Sequence, residues 1–564
     1  MLRFFLVLIV LGAVSLGAFG YGYVAAGAER GTIQTYVTKI TRKVAELRGL
    51  PTPEQAAVAR IESTFIRFSG TLYELPNSHF NSGGGLTVWD DTLLLVDREG
   101  TVWRFEDGRG LRPTSIGTPE HGDEAYAALS QRAPYNQQAH KPHQLRYNDI
   151  LFVDIPAFRG LVVSYNFFDE DNVCYGNRVA TLAVADDGVG PAELEASEAD
   201  WQIVFSSEPC LSFRPSGTAM EAIQAGGRMA LHPDGRLIYG SGDFAYDGFG
   251  APDIGLMDPE IEYGKILSID LVTGDHAILA SGHRNVQGVT VDRDGAIWTI
   301  EHGVRGGDEL NHIKVGENHG WPLESMGTLY SGQPFPTDGI VGRHDEFDRP
   351  AFAWLPSAGT SALTAIDNFH PAWDGGLLVG ALSSALYGQS LYHVRTDGET
   401  VVFVERIRLE RRVRYVEQFG QRLAVWLDPT SLLILEQQDR PDPLATALAR
   451  LNEAHPDMAD EVVAALESCN QCHSFEEQVH LAGPSLNGVV GREIAGTGFI
   501  GYSEALLAVG GDWNREALKS YLSDPQAFAP GTSMAAAGLD APQLEALIAA
   551  LEAMDTVNVE HLRY

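Results

Sequence analysis

Cysteine is scarce in this chain, with four in 564 residues: Cys174, Cys210, Cys469 and Cys472. With only two others present, the Cys469/Cys472 pair lacks the partners that a zinc site or a redox-active thiol cluster would need. Basic residues are scarce as well, 40 Lys and Arg against 75 Asp and Glu, for a formal charge of −35. That balance argues against nucleic acid or an anionic membrane surface as a partner and suits transient docking of a basic redox protein. Long apolar runs are missing beyond the N-terminus. With 60 glycines, this favours many short strands and turns over a helical protein. The length exceeds what one core sustains, about 250–300 residues, so more than one folding unit is expected. A hydrophobic content of 44% is enough to fill those cores.

The long apolar run at the start comprises the twenty-five residues from Phe4 to Ala28, uncharged, after a single basic Arg3. A helix of that length crosses a bilayer and exceeds the ~7–15 residues of a secretory signal core, so residues 1–28 read as an anchor. Five glycines in the run and Ala26-Gly27-Ala28 keep a cleaved signal peptide as the alternative. Either way the rest is expected on the periplasmic side of a bacterial inner membrane. Residues 29–64, polar and helix-prone from Ile33 to Ala59, are expected to form a helical spacer. Lys39, Arg42 and Lys43 are an unusual choice for the exported flank of an anchor.

Near the other end stands Cys469-Asn470-Gln471-Cys472-His473. Two thiols at this spacing hold a porphyrin edge through thioether bonds, and the adjacent imidazole reaches the iron. Met534, in Pro530-Gly531-Thr532-Ser533-Met534, stands downstream to ligate the opposite face. Between them come the Gly483-to-Gly488 turn loop and a helix-like run from Trp513 to Leu522. Ala541-Pro542 opens a last helix with Leu544, Leu547, Ile548 and Leu551 at three- and four-residue spacing. This order resembles a class I cytochrome c domain over residues 457–564, all-α, which implies haem c on Cys469 and Cys472 with His473 and Met534 as axial ligands. Such ligation raises the potential, as suits an electron acceptor. Haem attachment of this kind belongs to an exported compartment. There Cys174 and Cys210 are either a disulfide, which oxidising conditions favour, or two buried thiols. The proline-punctuated stretch from Gln437 to Pro443 opens a linker, residues 437–456.

Between spacer and linker, residues 65–436 change character. Leu93-Leu94-Leu95-Val96-Asp97-Arg98-Glu99-Gly100-Thr101-Val102-Trp103 and Val289-Thr290-Val291-Asp292-Arg293-Asp294-Gly295-Ala296-Ile297-Trp298 share one unit: apolar strand, acidic Gly turn, second strand with an aromatic residue. Its recurrence points to a β-propeller of about six blades, with a β-sandwich array as the alternative.

Three segments sharpen this: Gly282-His283-Arg284-Asn285-Val286-Gln287-Gly288, then Glu301-His302-Gly303-Val304-Arg305-Gly306-Gly307-Asp308-Glu309, then Asn318-His319-Gly320-Trp321-Pro322. In this order they resemble the soluble PQQ-dependent glucose and aldose sugar dehydrogenases, six-bladed propellers. The resemblance implies PQQ held by Arg284, Asn285 and Gln287, with Arg412 and Arg414 gripping its carboxylates. It also implies calcium held near Gly303, Val304, Asp308 and Glu309. These are fitting types: guanidinium and amide donors for quinone and carboxylate oxygens, hard oxygen donors for calcium. The fold expected for the chain is thus mainly β, a propeller followed by an all-α cytochrome c domain, behind an apolar anchor.

Departures from the family pattern matter equally. The family's base histidine opens a His-x-x-Gly-Arg-Leu segment, and here Gln224-Ala225-Gly226-Gly227-Arg228-Met229 stands in its place. Glutamine accepts no proton near neutral pH. The family's cofactor-contacting Gln- and Gly-rich loop is not evident, with His140-Lys141-Pro142-His143-Gln144-Leu145 roughly in its place, and the family lysine expected near Leu382-Ser383-Ser384 is absent. Two expectations follow. One is an exported quinohaemoprotein that oxidises a sugar or alcohol, with His302 or His143 as base, and passes electrons through its haem to a periplasmic cytochrome or terminal oxidase. The other is an anchored electron-transfer cytochrome whose propeller is a binding scaffold.

Overall fold

The computed structural model describes residues 58–438 and 459–555, apart from 77–78, 80–82, 136–143, 187, 214–221, 249–253, 336–342, 385–386, 430 and 476–479. The expected anchor, most of the spacer, most of the linker, and His140 and His143 lie outside the described residues. Among the described residues no helix is long and apolar enough to cross a membrane. Two compact units meet at Gln437/Gln438.

The first unit is a ring of six antiparallel sheets. Blade one runs Gly85–Trp89, Thr92–Val96, Val102–Glu106, Gly110–Pro113. Blades two to six begin at Tyr147–Ile155, Gly226–Leu231, Val286–Val291, Thr360–Ile366 and Arg412–Phe419. These first strands lie each against the next, and that of blade six lies against that of blade one, which closes the ring. Blade six is completed from the other end of the unit: Arg67–Glu74 joins Ser431–Gln438, and Val58–Glu62 pairs with Arg67–Glu74 as the edge. The helical spacer expected through residue 64 is therefore corrected: residues 58–62 are a strand, because blade six needs an outer edge. Cys174, at the start of a blade-two strand, and Cys210, just ahead of the short strand Leu211–Ser212 that pairs with it, form a disulfide.

The repeated unit read from the sequence has a side-chain cause. Asp97 accepts from the amides of Glu99 and Thr101 (3.1 and 3.0 Å) and from Trp103 Nε1 (3.0 Å). Asp292 does the same for Asp294, Ala296 and Trp298 Nε1 at 3.0, 2.9 and 2.9 Å. One carboxylate thus closes the turn and orients the indole of the returning strand, and Gly100 and Gly295 supply the positive φ of each turn (94° and 85°). Asp292→Ala should cost about 2–4 kcal/mol, since three donors lose a charged acceptor. Asp97→Ala should cost a similar amount in a urea melt.

The second unit is helical: Ala459–Asn470, Glu504–Val509, Arg515–Ser523, Pro525–Phe528 and Ala541–Asp555. Asn514 caps the third, its side chain accepting from Ala517 N at 2.9 Å. Val462, Leu466, Trp513, Leu518, Leu547 and Ile548 build the core between the first, third and last helices.

Candidate active site and haem cleft

In five blades the first strand slips register near its start, between Tyr147/Asp149, Gly226/Arg228, Val286/Gly288, Thr360/Ala362 and Val413/Tyr415. Each slip bulges out one residue: Asn148, Gly227, Gln287, Ser361 or Arg414. A bulge re-aims the side chain it carries, and contacts between blades occur at this level. Ser361 Oγ donates to Val413 O at 2.6 Å, and Arg228 donates to the carbonyls of Asn148 and Gln287 at 2.8 and 3.2 Å. Gly227 is obligatory here, since a Cβ would come within 2.5 Å of the Asn148 side chain.

Guanidinium groups dominate this level of the ring. Arg414 donates to Asp428 Oδ2 at 2.9 Å and Arg412 to the same oxygen at 3.3 Å, so one buried carboxylate aligns both arginines of the Arg-x-Arg pair. Arg412 also donates to Leu382 O at 3.2 Å. Arg284 donates to the carbonyls of His302 and Gly303 (3.2 and 3.1 Å), and its guanidinium lies 5.3 Å from the Trp321 ring centre. Asn285 Oδ1 accepts from Gln287 Nε2 at 2.8 Å. Among the described residues, Arg284 Nε, Arg414 Nε, Gln224 Oε1 and His302 Nε2 are buried without a hydrogen-bond partner. Such orphans mark a site built for an absent polar ligand. Donors of this kind, on strands of different blades, fit a polyanionic, carbonyl-rich cofactor.

The calcium loop fits less well. The Gly303 carbonyl is held by Arg284. Asp308 spends one oxygen on Gly303 N (3.2 Å) and the other on the amides of Gly359 and Thr360 (2.6 and 3.2 Å). Glu309 is driven well above the usual carboxylate range by burial and by neighbouring Glu301. Among the described residues no three His, Cys, Asp or Glu side chains converge as a metal cage.

Arg146, Arg228, Asp428 and Asp243 join the site without having carried a sequence signal of their own. Arg228 stood inside the Gly-Gly-Arg segment, and Asp428 was an unremarked strand end. Asp243 sits against the Gln224 segment, with Gly242 N donating to Ala225 O at 2.8 Å and Phe244 N to Gln224 O at 3.2 Å. Its carboxylate accepts from Ala245 N and Trp321 Nε1, both at 2.8 Å, and burial pushes it up to about 7 against the pull of Arg284. His302 is held down by burial.

Behind this face His283 and His319 stack with ring centres 4.6 Å apart, and His283 Nδ1 bonds Glu301 Oε1 at 2.9 Å. Burial, then His283, His344 and His312, depress His319 to about 2. Its unfolded value is near 6.5, so the stability owed to the neutral ring is complete above pH 6.5. It drains as pH falls toward the folded value, by about 2 kcal/mol between pH 6.5 and 5. His319→Gln should remove that much acid sensitivity, read as the difference between urea melts at the two pH values.

In the helical unit, Ala459–Asn470 carries Cys469 on its last turn, and His473 N bonds back to Cys469 O at 2.9 Å. His473 Nδ1 bonds Pro484 O at 2.7 Å, which fixes the ring and leaves Nε2 for iron. Gly483 is required for this approach, because a Cβ there would fall 2.4 Å from His473 Cε1. Cys469, Leu486, Tyr502, Phe528 and Met534 rim the core as half-buried side chains, a lining that suits haem c.

Comparison with known proteins agrees with both units. The glucose/sorbosone dehydrogenase family model matches residues 168–429. Aldose sugar dehydrogenase YliI of Escherichia coli is 35% identical over 141 residues, 24% of this chain and 36% of that protein. A crystal structure of glucose dehydrogenase superposes with a TM-score of 0.51 at 25% identity, over 65% of this chain and all of that one. Cytochrome c2 of Agrobacterium tumefaciens is 39% identical over 93 residues, 16% of this chain and 84% of that protein. The chain spans about half or less of the length of the curated relatives its propeller matches. The C-terminal unit belongs to the cytochrome c family, and it is fused to a propeller that resembles the glucose/sorbosone dehydrogenases.

Proposed function

We propose that this is an exported quinohaemoprotein that oxidises a sugar or alcohol at the propeller and passes the electrons to its own haem c. The observation carrying it is the set of arginines on and beside the first strands of the blades, with Arg284 Nε and Arg414 Nε buried and unpartnered, in the same polypeptide as a cytochrome c domain. Arg412 and Arg414 would hold the carboxylates of PQQ, and Arg284, Asn285 and Gln287 its carbonyl edge. When bound, such an orthoquinone would accept a hydride equivalent, that is two electrons and one proton, from a carbinol carbon.

The protein's own groups then have defined tasks. Asp428 keeps the two strand arginines aligned, and Trp321 and Arg284 cover one side and limit water. Gln224 cannot take the hydroxyl proton, whereas Asp243, beside that segment and titrating near neutrality, can. Asp243→Asn should lower kcat/KM by about 10²-fold or more and erase a limb near pH 7, since the ionised form is the competent base. The fused haem removes electrons singly, and tethering gives donor and acceptor a high effective concentration. A periplasmic cytochrome or terminal oxidase is the next acceptor proposed. The Cys174–Cys210 disulfide supports an oxidising compartment, with residues 4–28 as anchor or cleaved signal.

The test is haem reduction, followed by absorbance, on purified protein given PQQ, Ca²⁺ and a panel of sugars and alcohols. Reduction by any of them supports the reading, and failure of PQQ to bind removes it. The second reading, a scaffold propeller without catalysis, is favoured by Gln224 at the base position. It predicts haem that no sugar reduces.

A further inference from the structure

Arg146 belongs to no segment that suggested the site, yet it reaches the site. It stands just before the first strand of blade two and is almost fully buried, at 8% exposure. Its Nε donates to Asn148 Oδ1 at 3.1 Å, and its Nη2 to the carbonyls of Ile223 and Ala222 at 3.3 and 3.4 Å, immediately ahead of Gln224. Burial and then the charges of Arg414 and Arg228 bring it down to about 9. Arg414 is lowered chiefly by burial, and Arg228 adds to that.

Arg146 and Arg228 meet on one residue, Asn148, the first at its Oδ1 (3.1 Å) and the second at its carbonyl (2.8 Å), and the charge of Arg414 acts on both. Asp428 is shared between Arg412 and Arg414, and Asp149, 3.9 Å from Arg228, is itself pushed up to about 6 by burial. Positive charge gathered this densely is costly unless an anion enters with it. The chain also lacks the lysine that the family pattern places near Leu382-Ser383-Ser384.

We propose that Arg146 is a third ligand-binding guanidinium of this cradle, taking a carboxylate of an aromatic polycarboxylate beside Arg414 and replacing the lysine that the chain lacks. The identity of that anion as PQQ rests on the function proposed above. The cradle itself rests on the three arginines.

The experiment titrates full-length haem-loaded protein with PQQ and, separately, with benzene-1,3,5-tricarboxylate, reading tryptophan quenching and heat of binding. Arg146→Gln keeps a polar amide donor at the position but drops the charge, and a thermal melt confirms that it is folded. The expected result is PQQ binding weakened about 30-fold or more, the loss typical of removing one partner of a buried charge pair. A loss below tenfold overturns the proposal and leaves sugar oxidation standing. Wild-type binding of the tricarboxylate but not PQQ, with the same dependence on Arg146, supports the cradle and removes the PQQ reading. Binding of neither anion overturns both. Should Arg146→Gln fail to fold, Arg146→Lys decides: its compact point charge in place of a planar bidentate fork should weaken binding about tenfold, and a change under threefold overturns the proposal.

Discussion

Met534→Ala is expected to lower the haem midpoint potential by an amount on the order of hundreds of millivolts, within the ~0.8 V range that axial ligands control. Met534 sits half-buried on the haem-domain core, downstream of Thr532, whose hydroxyl pairs with Tyr521 at 2.8 Å. The Tyr521–Thr532 pair anchors the loop whether or not the sulfur is present, so the substitution should remove a ligand without unfolding the domain. The thioether bonds from Cys469 and Cys472 should persist, so the pyridine haemochrome spectrum should be unchanged while a redox titration shows the fall. With the acceptor's potential lowered, haem reduction by substrate should slow or stop although cofactor binding in the propeller is intact. An unaltered potential in the variant would mean that another group ligates the iron.

The second large effect concerns Arg228. Its guanidinium donates to Gly84 O at 3.0 Å, Asn148 O at 2.8 Å and Gln287 O at 3.2 Å, and lies 4.6 Å from the Tyr415 ring centre. One side chain from blade three thus contacts the main chain of blades two and four, the segment leading into blade one, and a ring of blade six. Arg228→Ala should destabilise the propeller by about 3–5 kcal/mol, because buried carbonyls lose their donor and Asp149 loses its nearest cation. The loss should grow with pH. Asp149 already has a folded value near 6, above its unfolded value of about 3.9, so its stability contribution is complete below pH 4 and fades as pH rises through 6. Without Arg228 the folded value rises further, and the penalty at pH 7 should exceed that at pH 5. Urea melts at both values, followed by tryptophan fluorescence, measure this. The haem-domain transition, followed in the Soret band, should stay where it is.

Features that depend on near neighbours in the chain were legible in advance. The Asp97 and Asp292 turns were visible as repeats because every donor to those carboxylates lies within six residues. The haem segment was legible for the same reason: covalent attachment needs both thiols and the imidazole within five residues. The last helix was legible from its three- and four-residue apolar spacing, and it spans Ala541–Asp555 as that pattern requires. The spacer was misread where it met the fold. Val58–Glu62 has no strong strand pattern of its own and becomes a strand because an unfilled edge of blade six is available to pair with.

The charge cluster could not be read this way. Arg146, Arg228 and Arg414 are separated by long stretches of chain, and nothing local to any of them predicts the other two. Closure of the ring brings them together, and the bulge at Arg414, with its counterparts in four other blades, turns side chains toward a shared space. Asp428 becomes the brace for both strand arginines only because the second strand of blade six lies beside the first. The chain's own order of residues determined that there would be a propeller-like array of hairpins and a cytochrome c domain, since turn chemistry and the Cys-x-x-Cys-His segment act over a few residues. Tertiary structure alone decided which arginines meet, because like charges in a desolvated centre are assembled by long-range packing and are tolerated only where a ligand's charge can offset them.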